Sequence, residues 1–142
     1  MQLEQQFAPI ELCKRLKELG IAQEGQFSWV YSKYKQTHEF SVIKCEALEL
    51  LAKANPEDKA WKERVEKGIF SAWSVAELGV MLPSGHDTMY CSGEGWNGYD
   101  LDGEHLLVAY KTEAECRAAM LIHLIQIKQI THEDCNKRLQ EA

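Results

Sequence analysis

The sequence lacks the features that would place a protein in a membrane or mark it for export. No apolar run in its 142 residues approaches the ~18 residues that a transmembrane helix needs. The opening MQLEQQFAPIELCKRL does not show the basic and then apolar pattern of a signal peptide. We therefore expect a cytoplasmic protein without membrane contact and a single domain spanning residues 1–142.

Closely paired cysteines are also missing, since no C-x-x-C motif occurs. The five cysteines are widely spaced, at Cys13, Cys45, Cys91, Cys116 and Cys135. Disulfide frameworks usually have an even number of cysteines at regular spacings. An odd and scattered set predicts reduced thiols, as in cytosolic proteins.

Basic residues are absent between Ile69 and Tyr110, a stretch that we call the acidic segment. Its six acidic residues give it the same formal charge, −6, as the whole chain, and they are Glu77, Asp87, Glu94, Asp100, Asp102 and Glu104. Because acidic surfaces repel phosphate backbones, no direct nucleic-acid binding is expected. A basic partner or a metal would be favoured there. The plainer alternative is that these acids keep loops solvated.

No nucleophile-elbow, metalloprotease or phosphate-loop motif is present. Cys91 could form a nucleophile and base pair with His86 or His105, but nothing in the spacing requires it. Buried cysteines and partly buried histidines are common in ordinary cores. We therefore expect no catalytic residues and no enzyme activity, with a weak hydrolase as the least favoured alternative.

Two groups of side chains could bind a metal. Asp100, Asp102 and Glu104 alternate around a turn and could bind calcium, but the calcium-loop signature is absent and an Asp-Gly turn explains the pattern. Two successive C-terminal helices could offer zinc ligands at spacings that match no zinc module, namely Cys116, His123, His132 and Cys135. No metal and no cofactor is therefore expected.

The strongest helical pattern covers Lys111–Ile130. Thr112 and Glu115 have the spacing of a capping box. Apolar residues recur at helical spacing and form a stripe along the helix that is wider than the apolar face of a half-exposed helix. The stripe consists of Ala114, Ala118, Met120, Leu121, Ile122, Leu124, Ile125 and Ile127. A sheet, other helices or a second copy must cover such a helix, and its width predicts a homodimer through Lys111–Ile130.

The remaining pattern predicts an α+β fold, because strands cluster instead of alternating with helices. A small antiparallel sheet of three to four strands, including a C-terminal meander over 87–110 with an Asp102-Gly103 turn, should pack against the long helix. A further strand is expected over Gln26–Lys35. Short helices are expected over Ala8–Gly20, Glu57–Lys67, Ser74–Pro83 and His132–Glu141. In the second of these helices, Trp61 and Val65 should face inward. Residues 37–47 fit either a strand or a helix, and 37–70 is predicted to be a charged helical insertion.

Aromatic residues occur on the predicted strands at Trp29, Tyr31, Tyr90, Trp96 and Tyr99, and Trp73 precedes a helix. They form either the core between sheet and helix or a face that stacks a base or grips a partner. Trp96 differs from the others because Gly93, Gly95 and Gly98 surround it. A low-bulk loop that presents one large aromatic is typical of an interface anchor.

Three stretches carry a resemblance to other proteins. The first is an early helix that ends with Lys17–Gly20 and is followed by the aromatic strand Phe27–Tyr34. The second is a helix stopped by proline, Ser71–Pro83. The third is a hairpin strand that leads into the helix Thr112–Ile122, with the sequence TEAECRAAMLI. In these stretches the chain resembles a group of small uncharacterised proteins encoded by phages and prophages of gut bacteria. The resemblance omits residues 37–70. It implies a phage or mobile-element origin and a cytosolic setting, and it transfers no active site.

These observations predict a non-enzymatic phage accessory protein that contacts a host or phage protein. The expected contact surface is the 93–104 loop region, with Trp96, Tyr99, Asp100, Asp102 and Glu104. The alternative is a protein that binds a small molecule or nucleotide on its aromatic sheet face.

Overall fold

The computed structural model describes residues 3–31, 40–54, 57–100 and 102–142, and it has the predicted α+β class. Within these ranges the chain forms a 3-10 helix (Leu3–Gln6), α1 (Ile10–Glu18), β1 (Phe27–Tyr31), β2 (Phe40–Lys44), α2 (Cys45–Ala54), α3 (Lys59–Lys67), β3 (Ile69–Ser71), α4 (Val75–Met81), β4 (Asp87–Cys91), β5 (Gly95–Tyr99), β6 (His105–Tyr110), α5 (Glu113–Gln126) and α6 (His132–Glu141). The described strands form two antiparallel three-stranded sheets, ordered β2-β1-β3 and β4-β5-β6, where the sequence predicted one small sheet.

The first sheet is centred on β1, which pairs with β2 on one side and β3 on the other. Strand β2 begins at Phe40 and α2 follows directly at Cys45, so residues 40–47 contain both a strand and a helix start, while 37–39 lie outside the described residues. Among the described residues of the predicted 37–70 insertion, the helical part is α2 and α3, since β2 and β3 belong to the sheet. Whether the range is an insertion stays a prediction.

Helix α3 differs from the prediction in which side chains it buries. Trp61 is half-buried, as an inward-facing residue should be, but Val65 is 55 % exposed. The expectation that Val65 faces inward is therefore wrong, because the last turn of α3 extends into solvent. Gly68, with a φ of +96°, ends the helix where the sequence predicted.

Helix α5 lies across the second sheet and is the central element of the core. It contacts β4, β5 and β6 on one side and α1 and α4 on the other. Its buried residues surround the helix axis: Ala114, Cys116, Ala118, Met120, Leu121, Ile122 and Leu124. The helix has 14 residues, so the predicted extent of Lys111–Ile130 is too long. Because elements of the same chain cover α5, its apolar width gives no reason to expect a second copy there, and a homodimer through this helix stays a prediction.

Several local predictions are confirmed. Ser74 and Glu77 form a capping box at the start of α4, and Thr131 and Asp134 form one at the start of α6. At the start of α5 the Thr112 hydroxyl accepts from the Glu115 amide, but the predicted capping box is incomplete because the Glu115 carboxylate accepts from the Lys111 amide. The hairpin turn lies at Asp102-Gly103 between β5 and β6. Of these cap residues, Ser74 and Thr112 also line the pocket described below. No helix within the described ranges combines the length and apolar composition required to cross a bilayer.

Candidate binding site

A pocket of about 520 Å³ opens beside Trp96. Four segments that are far apart in sequence line it: Gln5 and Gln6, Ser74 to Ala76, Trp96, and Lys111 to Glu113. Small-molecule sites in proteins commonly have volumes of ~300–1,000 Å³ and are mainly apolar with a few polar groups. The pocket beside Trp96, which we call the Trp96 pocket, meets both criteria.

The pairing of β4 with β5 explains the position of Trp96. Tyr90 pairs directly with Trp96, and the two ring centroids are 5.7 Å apart at an interplanar angle of 58°. Gly98 lies two residues further along the same sheet face and faces Met120 of α5. Trp96 therefore lies on the helix-covered face, at the N-terminal end of α5, where it is half-buried and packs against the core.

The part of the pocket formed by Val75 and Glu113 is held in place by Arg117. Its guanidinium lies 2.8 Å from the Glu113 carboxylate and donates a hydrogen bond of 3.1 Å to the carbonyl of Val75. The Thr88 hydroxyl donates to the same Glu113 carboxylate at 3.0 Å. Helix α4, helix α5 and strand β4 are thus tied together, which fixes the shape of the pocket.

Three flexible polar side chains line the pocket without being used by the fold. Gln5, Gln6 and Lys111 are exposed, and their side chains have no hydrogen-bonding partner within the described part of the chain. Two amides and one ammonium group are therefore free to bind a ligand. Together with Trp96 they form a site for a molecule with a planar ring and a polar or anionic substituent.

The structure does not bring together the five residues predicted to contact a partner. Side chains alternate along β5, so Tyr99 lies on the sheet face opposite Trp96. The Tyr99 hydroxyl is 3.7 Å from the Cys91 thiol, and this hydrogen bond is the main cause of a raised pKa of Tyr99. Trp96 and Tyr99 therefore belong to two separate surfaces.

Asp100 stabilises the turn that follows β5. Its carboxylate accepts hydrogen bonds of 2.9 Å from the backbone amides of Asp102 and of Glu104. The side chains of Asp102 and Glu104 are exposed. Asp100 thus has a structural role, and the turn presents the other two carboxylates to solvent.

The structure also places the residues that were considered for metal binding and catalysis. Burial raises the pKa of the Cys116 and Cys135 thiols to about 11, which keeps them protonated and unsuited to zinc. Cys91 contacts Tyr99 and the Asn97 amide, which donates at 3.3 Å; among the described side chains, no histidine hydrogen-bonds to it. In the described ranges, no three His, Cys, Asp or Glu side chains are grouped so that they could hold a metal ion.

The aromatic residues divide between core and pocket. Trp73 is fully buried, and Trp29 is 7 % exposed, with its indole N–H donating to the carbonyl of Ala8 at 3.1 Å. These two indoles are core residues, in agreement with the simpler of the two interpretations. The aromatic sheet face predicted from sequence is thus reduced, at the pocket, to Trp96 with Tyr90 beside it.

Sequence reasoning missed every pocket residue except Trp96. The other lining residues come from three segments with no shared motif, namely Gln5 and Gln6, Ser74 to Ala76, and Lys111 to Glu113. The available signal was indirect: Ser74 and Thr112 each mark a helix start, and both starts lie at the same end of the fold. No protein-family model matches this chain, and no curated protein or solved structure shows significant similarity to it.

Proposed function

We propose that this chain is a non-enzymatic binding protein whose ligand is a small planar molecule held in the Trp96 pocket. The observation that carries the proposal is the combination of one aromatic wall with three polar side chains that the fold leaves unused. The ring of the ligand would lie against Trp96. Its acceptor or anionic group would be bound by Lys111 and the two glutamine amides. Nucleotides and aromatic carboxylates have this chemistry.

A thermal-shift screen of planar acids and nucleotides tests the proposal. A ligand that binds the native state at ~100 times its Kd stabilises that state by about 2.7 kcal/mol, which is a readily measured rise in Tm. Trp96→Ala should abolish the shift. Trp61→Ala removes an indole that is also half-buried but lies on α3, outside the pocket, and it should leave the shift intact.

Trp96 contributes to the core, so Trp96→Ala could weaken the fold as well as the site. Lys111→Ala removes one exposed pocket cation and should weaken binding of anionic ligands about tenfold, as expected for the loss of ~1.4 kcal/mol, without lowering the Tm of the free protein. If no compound in the screen raises the Tm, or if the shift survives both pocket variants, the Trp96 pocket is not a ligand site.

A second function is favoured by the geometry of the acidic turn. Asp100 orients the turn so that Asp102 and Glu104 are exposed, inside a segment without any Lys or Arg. This arrangement supports contact with a basic surface of a host or phage protein, which is the accessory-factor function predicted from sequence. Tagged protein with Asp102→Asn and Glu104→Gln should then lose a partner that the wild type retains at low salt. A matched control is Glu57→Gln with Glu66→Gln, which removes two exposed charges elsewhere.

A further inference from the structure

Helix α2 carries an apolar stripe on its solvent-exposed side. Ala47, Leu50, Leu51 and Ala54 follow the i, i+3, i+4, i+7 spacing of one helix face, and all four are exposed. Leu50 is 68 % exposed and Leu51 is 41 % exposed. An amphipathic helix normally turns such a stripe toward the core.

The inward-facing side of α2 is different. Leu48 is the buried residue of this helix, and it lies about 110° around the helix axis from the centre of the stripe, given the 100° rotation per residue. Helix α2 packs against β2, and none of the elements in the described ranges buries the stripe. A contiguous apolar face on the surface of a protein is typical of an interaction site.

We infer that this stripe binds its counterpart on a second copy of the chain, with the two α2 helices antiparallel. The argument comes from the charges beside the stripe. Glu46 and Lys53 are seven residues apart, almost two full helical turns, so they lie on the same flank. Neither side chain forms an ion pair with another residue in the described ranges.

The symmetry of a helix pair makes this flank complementary to itself in one orientation. A two-fold axis perpendicular to the helices makes them antiparallel and brings Glu46 next to Lys53 of the second copy on the same side of the contact. The same operation brings Lys53 next to Glu46 of the second copy. A parallel pair would instead place the charged flanks on opposite sides. Antiparallel helix dipoles favour the same orientation.

The contact is small, because a ten-residue helix is only about 15 Å long. Stable interfaces bury ~800 Å² on each partner, which is more than this stripe alone can supply. The association is therefore weak and reversible, and it depends on protein concentration. The leucines supply the attraction, and the charge pairs set the orientation.

Sedimentation equilibrium of the reduced protein tests the inference. The wild-type mass should rise from 16.3 kDa toward twice that value as the concentration is raised to ~1 mM, the range in which weak complexes form. Leu50→Glu with Leu51→Glu should remain monomeric throughout. Ile127→Glu is the matched control, since Ile127 is an apolar residue on another helix end with 46 % exposure, and it should associate as the wild type does.

Charge reversal tests the orientation without touching an apolar residue. Glu46→Lys should weaken self-association several-fold because it faces Lys53 of the second copy, and Lys53→Glu should do the same by facing Glu46. An equimolar mixture of the two variants should associate as well as the wild type, since both pairs are then attractive. The inference is overturned by a wild type that stays monomeric at ~1 mM, by association that survives the leucine substitutions, or by a mixture that is no better than each variant alone.

Discussion

The Arg117 guanidinium lies 2.8 Å from the Glu113 carboxylate, one helical turn earlier on α5. The side chains of both are about one quarter exposed, at 26 % and 25 %. Arg117 also donates to the carbonyl of Val75 at 3.1 Å, so the ion pair connects α5 to the first turn of α4. The same contacts that stabilise the packing of the two helices also shape the Trp96 pocket.

Arg117→Ala should lower the free energy of unfolding by about 2 kcal/mol, because hydrogen bonds to charged groups contribute ~1.5–3 kcal/mol and Glu113 would lose its partner. Urea denaturation monitored by circular dichroism measures the change. Arg15→Ala is the control. Arg15 forms a single exposed ion pair with Glu18 at 3.2 Å, and its loss should cost under ~0.5 kcal/mol. Equal losses in the two variants would show that the Arg117 network has no special role.

Gly98 allows α5 to approach the second sheet closely. A Cβ atom at this position would lie 2.7 Å from Cγ of Met120, well inside van der Waals contact. Gly98→Ala should therefore cost about 1–3 kcal/mol of stability through overpacking. Gly93→Ala is a useful comparison, because Gly93 has open space around it and a φ of +81°, so its cost of ~1–2 kcal/mol is purely conformational.

A double-mutant cycle separates the two causes. Met120→Ala alone should cost about 2–5 kcal/mol because it leaves a cavity. In that background, Gly98→Ala should be close to neutral, since the space it needs is already empty. Gly93→Ala should cost the same in both backgrounds. If Gly98→Ala is equally destabilising with and without Met120, the close approach is not what requires glycine there.

Local signals account for the parts of the fold that the sequence predicted correctly. A capping box such as Ser74 with Glu77, or an Asp-Gly turn at 102–103, depends on residues next to each other in the chain. The Trp96 pocket depends on contacts between residues as far apart as Gln5 and Glu113, which no local pattern reports. Strand β3, with three residues, is too short to show alternation, so the first sheet was missed in part.

One error in the predicted contact surface could have been avoided from sequence. Trp96 and Tyr99 are three residues apart on a predicted strand, and side chains at that spacing point to opposite faces. The prediction that both residues belong to one contact surface did not take into account that side chains alternate between the two faces of a strand. The role of Asp100 was harder to foresee, because its hydrogen bonds to two backbone amides depend on the backbone geometry of the turn.

The buried thiols should make stability fall at alkaline pH. Burial raises the pKa of Cys13, Cys116 and Cys135 to about 11 from the ordinary thiol value of 9.0. Above pH 9 these thiols ionise in the unfolded chain while they stay protonated in the native state, so unfolding is favoured. Each should lower the free energy of unfolding by up to about 1.4 kcal/mol per pH unit until pH ~11, and below pH 9 the effect should vanish.

Urea denaturation under reducing conditions at pH 7, 9 and 10 measures this slope. Cys116→Ala removes one of the three thiols and should make the alkaline slope shallower. Cys91→Ala is the comparison variant, because it removes a thiol that lies half-buried on the second sheet and is not one of the three fully buried thiols. An alkaline slope that is the same in all three proteins would contradict the assignment to buried thiols.

Lys128 explains why α5 ends earlier than its apolar pattern suggested. It has a φ of +61°, and the next amide, of Gln129, donates at 3.0 Å to the carbonyl of Leu124, as in a Schellman motif. Glycine normally occupies this left-handed position. Because a lysine occupies it here, the sequence contains no visible stop signal, and the helix was predicted to continue to Ile130.

Replacing Lys128 should therefore stabilise the protein when the new residue is glycine. A left-handed conformation costs an L-residue with a Cβ about 1 kcal/mol. The Lys128→Gly variant should therefore be more stable than the Lys128→Ala variant, with a free energy of unfolding about 1 kcal/mol higher. The alanine variant is the correct reference, since both substitutions remove the same charge from the helix C-terminus, where a cation is worth ~0.3–1 kcal/mol. Thermal and urea denaturation of the two variants measure the difference. If alanine were as stable as glycine, the backbone at 128 would not adopt the left-handed conformation in solution, and α5 would end by another mechanism.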